Sequence, residues 1–134
     1  MITLALQLLF SNPCGPIPLL ETTLSSAETK SVGQVTIDAL EAFEAPYQGS
    51  ENGLNSAFNS PVGLDAMEVI SDSEMKSYGW CFEVDGKLSE VMPGDYKIGP
   101  KTQSVRWFIG YAHYKNGNWI SQCTPAYKSK FICK

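Results

Sequence analysis

Apolar and polar residues alternate from the start of the chain. In "MITLALQLLF", Ile2, Leu4, Leu6, Leu8 and Phe10 fall on one face, and Thr3, Ala5, Gln7 and Leu9 on the other. That period of two predicts a strand. "SNPCGPIP" is dense in Pro and Gly and predicts a turn; "LLETTLSSAE" then predicts a second strand and an opening hairpin. The period changes in "SVGQVTIDALEAFEAP". There Ile37, Leu40 and Phe43 recur at helical spacing, Ala39 and Ala42 lie beside them, and Pro46 stops the run.

"YQGSENGLNSAFNSPVG" is rich in Gly, Asn and Ser and predicts a long loop, with a short turn of helix around Leu54–Phe58. Loops of that length inside a small domain are often functional; the alternative is a solvated insertion. "LDAMEVI" predicts a strand. In "YGWCFEV", Tyr78, Trp80, Phe82 and Val84 share one face, and Cys81 and Glu83 the other. Asp85-Gly86 is a favoured two-residue hairpin turn, because both positions tolerate positive φ. "KLSEVM" is expected to pair across it. "QSVRWFIGYAHY" predicts a long strand, and Asn116-Gly117 a second hairpin turn into "NWISQC". "KSKFICK" reads either as an edge strand or as a tail clipped by Cys133. The order of elements predicts an α+β fold, a mostly antiparallel or mixed sheet with one helix on a face.

The chain has 134 residues, which fits one domain over 1–134. Its net charge is -4 and no Lys/Arg run is dense enough to track phosphates, so nucleic acid is not an expected partner. The apolar opening run of about ten residues falls far short of the ~20 needed for a membrane span. It also lacks the basic start and small-residue cleavage site of a signal peptide. Met1 therefore reads as an added start residue preceding a mature domain.

Cys14, Cys81, Cys123 and Cys133 are even in number, widely spaced and without a Cys-x-x-Cys pair, so a zinc site is not expected. Two disulfides would place the domain outside the reducing cytosol, whether secreted, periplasmic or at the cell surface. Sequence leaves all three pairings open, as it does four buried thiols in a cytosolic protein.

Catalytic signals are sparse. His113 is the single histidine, so a small hydrolase would have to use it. No Gly-x-Ser-x-Gly elbow, P-loop or dinucleotide fingerprint is present, and the expectation is a protein that is not an enzyme. Aromatic density is the stronger feature. Tyr78, Trp80, Phe82, Tyr96, Trp107, Phe108, Tyr111, Tyr114 and Trp119 fall within about forty residues, and aromatics serve both cores and flat ligands. His113 reads either as a hydrogen-bonded surface histidine or as a ligand to a metal held within a cofactor.

Several of these stretches together resemble the transcobalamin C-terminal-like domain, a soluble-ligand-binding β-grasp family. "VGQVTIDALEAF" is similar to the segment leading into that family's single helix. "VGLDAMEVI" and "YGWCFEVDGK" resemble its central strand pair, "VMPGDYKI" the segment after the turn, and "SVRWFIGY" the closing strand. The resemblance covers most of residues 1–114 and implies a β-grasp-like mixed sheet packed on one helix. Residues 114–134 stand outside it, as a C-terminal extension adding a β-hairpin. "IGPKTQ", with Pro100, departs from the family's usual tight turn. The resemblance implies a non-enzymatic binding module for a flat soluble ligand such as cobalamin, with no intrinsic cofactor. Such a ligand would approach Leu88, Val91, Met92, Asp95, Tyr96, Trp107 and Tyr111, with His113 near the end of the same strand. The alternative is a surface module acting through protein–protein contacts.

Overall fold

The computed structural model describes residues 5–25 and 30–133. Ile2 and Leu4 of the opening pattern, and part of the stretch after the second strand, lie outside these. Nine strands and one helix form the described chain: β1 (Leu6–Phe10), β2 (Leu20–Leu24), α1 (Val32–Ala42), β3 (Tyr47–Ser50), β4 (Gly53–Ala57), β5 (Met67–Ser71), β6 (Glu74–Val84), β7 (Lys87–Leu88), β8 (Ser104–Lys115) and β9 (Asn118–Pro125). Single 3-10 turns precede β5 (Gly63–Ala66) and follow β7 (Pro93–Asp95). The fold is therefore α+β, as the order of elements predicts.

Seven strands make one mixed sheet, ordered β2-β1-β8-β6-β5. The long pair β6 and β8 is its spine, antiparallel from Glu74↔Lys115 to Val84↔Val105. The far edge of β8 is shared: β1 runs parallel to Ser104–Trp107, and β9 runs antiparallel to Gly110–Lys115. The far edge of β6 is shared too, by β5 as far as Ser77 and by β7 from Glu83. Both hairpin turns form as expected: φ is 51° at Asp85, 84° at Gly86, 52° at Asn116 and 83° at Gly117.

One face of the sheet carries the core. Leu8, Phe10, Val84, Val105 and Trp107 point from it, and Val32, Val35, Ala39 and Leu40 of α1 cover them. Phe10 stacks on Trp107 at 5.8 Å and meets Phe58 and Trp80 edge-on at 5.4 and 5.3 Å. The Trp107 indole N–H donates to Thr36 Oγ1 at 2.9 Å, tying helix to sheet. Ser31 caps α1, accepting from the Gln34 N–H. The buried stripe runs through Val32, Val35, Thr36, Ala39 and Leu40; Ala39 and Leu40 of the expected stripe are in it, while Ile37 is half-buried and Phe43 is exposed.

The largest correction concerns residues 47–63. Instead of a loop with a helical turn, β3 and β4 form an antiparallel hairpin with a bulge at Gln48/Gly49, and Leu54 to Ala57 are strand. Ala57 and Ser56 are buried against the core side, which favours pairing over a solvated excursion. The C-terminal tail is not a strand. It is clipped to the start of the chain by Cys14–Cys133, while Cys81–Cys123 joins β6 to β9 on the outer face. No helix among the described residues is long and apolar enough to cross a membrane.

Candidate functional site

The hairpin β3–β4 and the segment after β7 converge on one cleft. Its volume is about 300 Å3. One wall is Gly53–Asn55, the other is Leu88–Pro93, and the floor is Trp80, Cys81, Phe82 and Trp107. The walls nearly touch: the Met92 methyl lies 3.5 Å from where a Gly53 Cβ would stand.

Two glycines let the hairpin dock there. A Cβ on Gly33 of α1 would collide with the backbone of Glu51, and one on Gly94 would meet Asn52 Oδ1 and, at 3.2 Å, the Glu51 carbonyl. The β3–β4 turn thus sits in a notch between α1 and the turn Pro93–Asp95, which fixes one wall against the other.

The floor is rigid for separate reasons. The Trp80 indole N–H donates to Ser60 Oγ at 3.0 Å, and Phe82 packs against Trp107 at 5.0 Å and Tyr96 at 6.2 Å. The rim is different. Leu88 and Val91 are each 49% exposed and Met92 58%, a cluster of apolar side chains facing water beside a cavity. Among the described residues Glu90 is the only charged one lining the cleft.

The floor also contains a gap in the sheet. Between Ser77, the last partner of β5, and Glu83, the first partner of β7, the residues Tyr78–Phe82 have no strand on that edge. Two hydrogen bonds fix which backbone groups face it. The Asp85 N–H donates to Ser104 O, toward β8, and the Phe82 carbonyl accepts from the Ser89 N–H, away from β8. Antiparallel pairing alternates, so the N–H and C=O of Trp80 and the N–H of Phe82 point off the edge with Phe82 O. Neither the pairing of β6 with its neighbours nor the turn and loop hydrogen bonds supply a partner for these three groups.

Of the expected site residues, Leu88, Val91, Met92 and Trp107 line the cleft. Trp107 is 2% exposed and belongs as much to the core. Asp95 is exposed on the turn behind the wall, and Tyr96 is half-buried behind Phe82, its carbonyl accepting from the Val32 N–H. Tyr111 lies elsewhere, beside Tyr78 and under the Lys76 ammonium, 4.6 Å from its ring centre. It lines a neighbouring groove of about 380 Å3 on the outer face, whose floor is Gly79 and Gly110 and whose wall is Trp119. Trp80, Cys81 and Cys123 border both hollows.

His113 is at the far end of β8, its Nε2 2.7 Å from Glu74 Oε2 across the β6–β8 pair. It is hydrogen-bonded there and is not among the residues lining the cleft. Sequence reasoning missed the Gly53–Asn55 wall, although Asn52-Gly53 is a turn dipeptide beside the bend at Glu51-Asn52. It also leaves Trp80 and Phe82, which floor the cleft, out of the expected ligand-binding residues. Beside that geometry, comparison with known families and proteins adds nothing: no family model, curated protein or solved structure matches the chain.

Proposed function

We propose that this chain is a non-enzymatic, extracytoplasmic binding module of β-grasp type, and that its ligand seats in the cleft between Gly53–Asn55 and Leu88–Pro93. One observation carries the reading: exposed Leu88, Val91 and Met92 crowd the mouth of a cavity whose floor is aromatic. Concave, mostly apolar sites with a few polar groups are where soluble ligands bind. The two disulfides support a location outside the reducing cytosol.

The resemblance to transcobalamin-like domains makes a corrinoid the first ligand to try. A cleft of about 300 Å3 would grip one edge of such a molecule and leave its other face to a partner domain. Titrating the purified domain with cobalamin, followed by absorbance and calorimetry, tests this. A saturable change lost in a Met92→Lys variant supports it; silence at millimolar cobalamin removes the corrinoid version. A second reading, a surface module working through protein contacts, is favoured by the unpaired backbone groups of Trp80 and Phe82. Those groups suit a polypeptide better than a flat ring.

A further inference from the structure

The geometry points to the free edge of β6 as a strand-addition site for an extended, cationic segment of another protein. This deepens the second reading above and rests on it. Three backbone groups carry the inference. Trp80 offers both N–H and C=O in the same direction, as one residue of a hydrogen-bonded antiparallel pair must, and the Phe82 N–H offers a third bond. Peptides that add to a sheet edge gain affinity from such main-chain bonds and specificity from pockets that take alternate side chains. Here the pocket stands beside the edge, rimmed by Leu88, Val91 and Met92.

The size of the gap selects the kind of occupant. Tyr78–Phe82 spans five residues, roughly 17 Å at strand rise. β5 and the segment after β7 close its two ends. An occupant of that length is a single extended strand, whereas the edge of a second folded sheet would meet both flanks. Charge points the same way. Glu90 is the one charged residue lining the cleft among those described, and the whole chain carries -4. Pairing with a second copy would set Glu90 against Glu90, while a segment bearing Lys or Arg between apolar residues meets an opposite charge.

The test uses the intact, disulfide-bonded domain and three probes: acetyl-Val-Lys-Val-Lys-Val-amide, the same peptide N-methylated at its central Val, and the Glu counterpart acetyl-Val-Glu-Val-Glu-Val-amide. Each is titrated to millimolar concentration while backbone amide and methyl NMR signals are followed. Expected are saturating shifts of the Trp80 and Phe82 amides with the Lys peptide, none with the N-methyl version, and binding about threefold weaker or worse for the Glu peptide. Met92→Lys should weaken the Lys peptide without disturbing the rest of the spectrum.

Equal shifts from the parent and N-methyl peptides would leave the cleft as a binding site and overturn strand pairing. Shifts of the Trp80 and Phe82 amides with protein concentration alone would make a second copy the occupant and overturn the proposal. No perturbation of any cleft residue by the Lys peptide overturns it as well, and the cobalamin titration then judges the cleft separately.

Discussion

Gly33→Ala decides whether the cleft has a fixed wall. In an ordinary helix interior this change stabilises, because Ala is favoured over Gly by about 1 kcal/mol. In α1 the new Cβ would stand 2.6 Å from the Glu51 carbonyl carbon and 2.9 Å from its Cα, and closer still to the oxygen. Carbon atoms sit comfortably only at about 3.5–4.0 Å. The β3–β4 turn must therefore retreat by roughly 1 Å or the helix must tilt. Overpacking of this sort costs about 1–3 kcal/mol, and the upper part of that range applies because the obstacle is backbone, not a flexible side chain.

Subtracting the propensity gain leaves a net loss of about 1–2 kcal/mol, or roughly 3–10 °C in Tm for a chain of this size. Urea and thermal unfolding followed by circular dichroism measure it. Since the same turn carries Gly53 to its place beside Met92, ligand affinity at the cleft should fall with stability. If Gly33→Ala raises the unfolding midpoint, the hairpin is not docked on the helix and the cleft's wall is misassigned.

Four further expectations follow from the same geometry. Thr36→Val keeps shape but leaves the buried Trp107 indole N–H without its acceptor, a loss of about 1–3 kcal/mol in urea unfolding; a loss below about 0.5 kcal/mol would show the bond is unimportant. Met92→Lys should change stability by no more than about 0.5 kcal/mol, as an exposed rim residue, while weakening any cleft ligand; calorimetry and melting curves separate the two effects. Chain-entropy reasoning has Cys14–Cys133, which closes the longer loop, contributing about 1 kcal/mol more than Cys81–Cys123, checked by comparing the two paired Cys→Ser variants. Burial raises the Tyr78 phenol above its ordinary 10.0, with the neighbouring Glu68 carboxylate adding to the shift. The folded state then holds that proton more tightly than the unfolded one, so the stabilisation is present below about pH 10 and is lost as pH rises through the folded value. Tyr78→Phe should flatten that part of the stability curve, and an unchanged slope would count against the buried phenol.

Local chemistry explains which parts of the fold were legible in the sequence. The period of two in "YGWCFEV" puts Phe82 and Val84 inward and Cys81 outward, because one-sided burial dictates alternation. Asp85-Gly86 and Asn116-Gly117 announce their turns through the positive φ those residues accept. The α1 stripe differs from the expected one because Thr36 looks polar yet is buried, held by the Trp107 indole and the Val32 carbonyl. The β3–β4 hairpin escapes sequence reasoning because its stability comes from tertiary contact: "YQGSENGLNS" has little strand propensity, and Gly33 and Gly94 supply the notch that holds it.

The candidate site divides the same way. Leu88, Val91 and Met92 are expected from the resemblance alone, and they stand exposed at the mouth of the cleft. Tyr111 is expected there from the same resemblance, and His113 from its place near the end of Tyr111's strand. Yet β8 is twelve residues long, and its far end lies beside Lys76 and Glu74 instead of at the cleft. The open edge at Trp80 could not be read from sequence at all, since it depends on where β5 stops and β7 starts.

Native-state amide hydrogen exchange on the free domain tests the central claim most directly. If β6 presents an unpaired edge at the floor of the cleft, protection alternates along it. Cys81 and Glu83, whose N–H groups face β8, should exchange on the order of a hundredfold more slowly than Trp80 and Phe82. Uniform protection from Trp80 to Glu83 would mean the edge is already closed, and would contradict the account.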